Sequence, residues 1–195
     1  EAAARYAKRL RAAAKAAHAR AAAAAASPRC AALVLETALW IEDGGWRQPG
    51  DAARQKRLNG GVEAYSARLL ERLRKGVLKR AKGLEKQDAA TRHKLRIRAK
   101  RLRYGIDFLH MLHDGHEEAK RRRRLVAALK PLQTALGRLN DIAMAPQAAM
   151  APLGGRPPPR LVFVAGELVG RLQQPAARQL ALAVDAAEVL KAAKR

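Results

Sequence analysis

The chain has 195 residues, with 40 lysines and arginines against 17 acids and a formal net charge of +23. An excess of that size exceeds what solubility needs and points to an anionic partner. Hydrophobic residues make up 49%, enough for a core, but aromatics only 4%, and a composition dominated by alanine, leucine, arginine and lysine leaves little to build a sheet from.

Residues 1–26 read as one long alanine-rich helix. Tyr6, Leu10, Ala14 and Ala17 form a thin apolar side, while Lys8, Arg11, Lys15 and His18 recur at steps of three, four and three on the other. Ser27 and Pro28 have the order of an N-cap followed by proline at the first helical position. Residues 28–41 are apolar nearly all round, which predicts a helix at the centre of a bundle. The single cysteine, Cys30, excludes an internal disulfide and is expected to be a small core residue in a reducing compartment. Asp43, Gly44 and Gly45 end that helix, and residues 46–61, with Pro49, Gly50 and the Asn59, Gly60, Gly61 run, read as a long connection.

Helical period returns at residues 62–84, with Val62, Tyr65, Leu69, Leu73, Val77, Ala81 and Leu84 as the expected buried side. Arg68, Arg72, Lys75, Lys79 and Lys82 form a regular cationic stripe, either a ligand wall or a solvated face. Asp88 is then a plausible N-cap for the stretch 92–109, RHKLRIRAKRLRYGIDFL, which holds seven cations and one acid. There Leu95, Ala99, Leu102, Ile106 and Leu109 line up as one apolar stripe facing a core. His93, Arg96, Lys100 and Arg103 recur on the opposite side, flanked by Arg92, Arg101 and Tyr104. Like charges stacked in this way repel by a few tenths of a kcal/mol per pair, roughly, and an anion would offset that strain.

His110, His113 and His116 surround a helix end at Gly115. Their spacing suits the helix dipole better than a metal, and no metal site is expected. Residues 120–124 are five consecutive cations whose directions diverge on a helix. Leu129, Leu132, Leu136 and Leu139 make a clean seam, with Pro131 inside it as a kink or a new start. Gln133 and Asn140 lie beside the seam and should be partly buried and hydrogen-bonded. The proline-rich residues 146–160 read as a linker, and residues 161–172 and 176–194 as two further helices.

Two motifs together carry a resemblance. His-x-Leu-Arg-Ile-x-x-Lys-x-Leu-Arg-Tyr, ending at Tyr104, followed by Leu-x-x-Leu-Gln-x-x-Leu-Gly-x-Leu-Asn-Asp, ending at Asp141, resembles the CHAD family, the conserved histidine α-helical domain. The resemblance implies an all-α fold of two antiparallel four-helix bundles related by a pseudo-twofold, here an N-terminal part over residues 1–84 and a C-terminal bundle over residues 88–195. The family carries a similar His/Arg motif on its first helix, of which this chain shows no clear copy, so the first bundle is expected to be incomplete. The resemblance also implies binding of inorganic polyphosphate, in the cytoplasm and in association with polyphosphate granules. The residues expected to bind it are Arg92, His93, Arg96, Lys100, Arg101, Arg103 and Tyr104. A second wall would come from Arg72, Lys75 and Lys79 or from Lys8, Arg11 and Lys15, with Gln133, Asn140 and Asp141 in supporting positions.

For catalysis the sequence offers little. It has no phosphate-cradling glycine loop with Lys-Ser/Thr, no Gly-x-Ser-x-Gly, and no acidic cluster of the kind that holds catalytic magnesium. The expectation is a non-enzymatic binding module that needs no cofactor. Two alternatives remain: a nonspecific binder of nucleic acid or other polyanions, and an accessory domain of a phosphate-chain hydrolase or kinase.

Overall fold

The computed structural model describes residues 1–45, 50–112 and 115–193, with only the backbone of Arg57. It is all-α, with no strand among the described residues. The helices are α1 (Ala2–Ala25), α2 (Pro28–Asp43), α3 (Ala52–Leu58), α4 (Val62–Ala81), α5 (Ala89–Leu109), α6 (His116–Met150), α7 (Pro159–Gln173) and α8 (Ala176–Ala192). The chain divides into two compact units, Glu1–Gly60 with Ala149–Ala165, and Gly61–Ala148 with Gly166–Arg195.

The second unit holds the larger core. One continuous cluster joins Val77 of α4, Leu95 and Leu102 of α5, Leu129 and Leu136 of α6, and Ala183 and Leu190 of α8. All five residues of the apolar stripe expected on α5 are buried, and so are all four leucines of the α6 seam. Truncating one of the fully buried leucines, such as Leu132, to alanine would cost about 2–5 kcal/mol. Gly105 brings α4 and α5 close together. A Cβ on it would lie 3.2 Å from Leu73 Cδ1 and 3.3 Å from Leu70 Cδ2.

Local chemistry sets the helix ends. Ser27 caps α2 by accepting from Cys30 N–H at 3.3 Å, with Pro28 at the first helical position. Gly44 closes α2 at a φ of 62°, a left-handed conformation that glycine adopts without strain. Asp88 caps α5 by accepting from Thr91 N–H at 2.7 Å. Hydrogen bonds from the Thr91 side chain and backbone hold the Asp88 carboxyl below the usual aspartate range.

Several expectations need correction. α2 was expected at the centre of a bundle, yet none of its residues is buried, and Leu33, Val34, Leu35, Leu39, Trp40 and Ile41 are all more than half exposed. Cys30 is half-buried on the same helix and is not a core residue. On α1 only Tyr6 is buried. Its hydroxyl donates to Ala149 O at 2.9 Å within the first unit, and burial raises its pKa. Val62 and Tyr65 are exposed, and Ser66, fully buried with its hydroxyl donating to Glu63 O, takes the inward position at the start of α4. The expected linker over residues 146–160 is shorter. α6 passes through Pro131 and Pro146 as far as Met150, a 3-10 turn follows over Ala151–Leu153, and α7 begins at Pro159. The long connection contains the short helix α3, while Trp46 and Pro49 lie outside the described residues. No described helix is long and apolar enough to cross a membrane.

Candidate functional site

The cation-rich helix α5 is fixed at its start by the residues before it. Gln87 Nε2 donates to Arg80 O at 2.8 Å and to Lys82 O at 3.0 Å, tying the end of α4 to the turn. Arg92 Nη1 donates to Gln87 O, so this guanidinium is spent partly on the backbone. Its Nε and the Gln87 Oε1 are buried without hydrogen-bond partners.

From Arg92 onward, α6 sets the orientation of α5. His93 Nδ1 lies 2.6 Å from Asn140 Oδ1, and Gln133 Nε2 donates to Ala99 O at 2.9 Å. These two amides, two turns apart on α6, grip an antiparallel α5 at two levels, which fixes its rotation about its own axis. His93 is exposed, Arg96 and Lys100 are half-buried, and Arg103 is exposed and pairs with Asp107 at 3.5 Å. The Arg103 guanidinium carbon also sits 5.8 Å from the centre of the Tyr104 ring. Arg101 lies roughly 120° round the helix from this row. The row flanks the buried stripe rather than standing opposite it, which is why Arg96 and Lys100 lose part of their exposure. Partial desolvation strengthens the attraction of such cations for an anion.

The cations of α4 meet a different set of neighbours. Arg72 and Lys75, with Arg68, line a cavity of about 780 Å³ whose other walls come from the end of α5 and the start of α6. Arg121, Arg122 and Arg124 face the same space, whereas His93, Arg96, Lys100 and Arg103 do not line it, and Lys79 stands exposed outside it. The structure thus places the two expected walls of the second unit at separate positions. Sequence reasoning missed this convergence because three arginines of a diverging run come to line one cavity with the α4 cations only in the folded chain. Their only sequence signal was charge.

Lys8, Arg11 and Lys15 are exposed on α1 in the first unit. Asp141 is exposed beside Asn140. Among the described residues no group of three or more His, Cys, Asp or Glu side chains could hold a metal ion, and His113 lies outside them.

The molecule is therefore a basic all-helical protein in which a histidine, locked by an asparagine from the neighbouring helix, heads a row of cations. The CHAD domain model matches residues 1–149, and the chain belongs to the CHAD family. No curated protein and no solved structure shows a significant match to it.

Proposed function

We infer that the chain binds inorganic polyphosphate through the His93 flank of α5 and acts as a non-catalytic targeting or scaffold module. The observation that carries this reading is the His93–Asn140 hydrogen bond, which orients the imidazole at the head of Arg96, Lys100 and Arg103. Consecutive members of this row are three or four residues apart, so they rise about 5 Å at each step along one side of the helix. A thin, flexible, densely charged polymer can meet them in succession, and each contact releases a counterion. Arg101 and Lys79, the latter exposed outside the α4 cavity, would engage the remainder of a long chain.

The second reading is single-stranded nucleic acid. Tyr104 and Phe108, one turn apart and both exposed, favour it as potential stacking surfaces. Competition separates the two. With labelled polyphosphate prebound at moderate salt, unlabelled polyphosphate should displace it at far lower phosphate-equivalent concentration than single-stranded or duplex DNA. Comparable displacement by DNA would leave a generic polyanion binder.

A further inference from the structure

The α4–α5–α6 cavity differs in kind from the α5 flank. Leu70, Ile106, Leu109 and Leu125 form an apolar floor, and Ile106 and Leu109 are themselves buried in the core. Above it stand Arg68, Arg72, Arg121 and Arg124, none of which forms an ion pair among the described residues. Of the two acids at the cavity, Glu71 is occupied by Lys75 at 3.6 Å and Arg74 at 4.0 Å, while Glu118 is exposed at the mouth. Arg74 and Arg122 also line the cavity but are engaged with backbone carbonyls, Arg74 donating to Ala193 O at 3.1 Å and Arg122 to His110 O at 3.4 Å.

A polyphosphate chain, charged at every repeat, would gain nothing from that floor and would lose hydration over it. A wholly apolar ligand would leave the four arginines unanswered. Only a molecule with both parts satisfies the cavity, and its volume falls in the range that encloses a small organic ligand. We propose that this cavity binds a free single-chain anionic amphiphile, a medium-chain fatty acid, with its carboxylate among Arg68, Arg72, Arg121 and Arg124 and its tail on the leucine and isoleucine floor. The inference is independent of the polyphosphate reading.

The test is calorimetric titration of the whole chain with straight-chain alkanoates of increasing length, each below its micelle concentration. Affinity should tighten about three- to fourfold per added methylene until the floor is covered. Decanol should bind at least about tenfold more weakly than decanoate, because it brings no charge to the arginines. Leu125→Gln should weaken decanoate about tenfold while leaving long polyphosphate unaffected, and Leu70→Gln provides the same test if the first variant fails to fold. Replacing Arg72 and Arg124 with alanine should bring decanoate down to the level of decanol. An affinity that does not change with chain length would overturn the proposal, as would equal binding of decyltrimethylammonium or binding seen only with anionic phospholipid vesicles.

Discussion

His93 and Asn140, 47 residues apart in sequence, are joined by a 2.6 Å contact between Nδ1 and Oδ1. The amide oxygen only accepts, so Nδ1 carries the proton and a neutral ring turns a lone pair outward at Nε2. Anion binding at Nε2 then requires a second proton. His93→Gln, whose side-chain amide can still donate a hydrogen bond, should keep part of the polyphosphate affinity in calorimetric titration, whereas His93→Ala should lose about three- to tenfold. Asn140→Leu should retain helicity by circular dichroism yet weaken binding about three- to tenfold, because the ring loses its fixed orientation.

Replacing Arg96, Lys100 and Arg103 together by alanine should lower polyphosphate affinity by more than about tenfold. The slope of log affinity against log salt should also fall by roughly one for each cation removed. Alanine is the strongest helix former, so thermal stability should hold. The same exchange at Arg121, Arg122 and Arg124 should cost polyphosphate less, since these three face the leucine-floored cavity. Equal losses in the two variants would mean that total charge, rather than a formed row, holds the polymer.

Asp88 gives a stability prediction with a definite sign. Its carboxyl is held below the usual range, so its contribution is complete above the ordinary aspartate pKa of about 4 and disappears as pH falls through the lower folded-state value. Thermal melts should show Asp88→Ala less stable than the parent at neutral pH, with the gap closing in strong acid. Asp88→Asn, which can still accept from Thr91 N–H, should lie near the parent at neutral pH and lack that acid-dependent step.

Gly105 tests how closely α4 and α5 must approach. Alanine there would press on Leu70 and Leu73 by a few tenths of an ångström, and its helix propensity, better by about 1 kcal/mol, roughly offsets the crowding. Valine has no such room and should destabilise by about 1–3 kcal/mol in denaturant titration.

The core of the second unit was legible because its helices keep strict period. The five-residue stripe of α5, the leucine seam of α6 and the caps at Ser27 and Asp88 each follow from residues a few positions apart. α2 was misread for the converse reason. Apolar residues on every face state a demand for neighbours, and periodicity does not show whether the chain supplies them. The phase at the start of α4 slipped because a buried serine, satisfied by its own helix through Glu63 O, looks polar in sequence. The His93–Asn140 pair was suggested only by the order of two motifs. The arginine-rimmed cavity depends on three helices meeting, which no local pattern encodes.

Tyr6 is the only buried side chain on α1, and α2 has none. Local opening of such helices exposes little new apolar surface and so costs little free energy. In deuterated solvent the amides of α1 and α2 should therefore take up label well before those of α5 and the leucine seam of α6, unless a binding partner covers them. Labelling rates along α1 and α2 thus offer a ligand-free way to detect such a partner, because anything seated on the exposed Leu33–Ile41 surface would slow exchange there and leave the second unit unchanged.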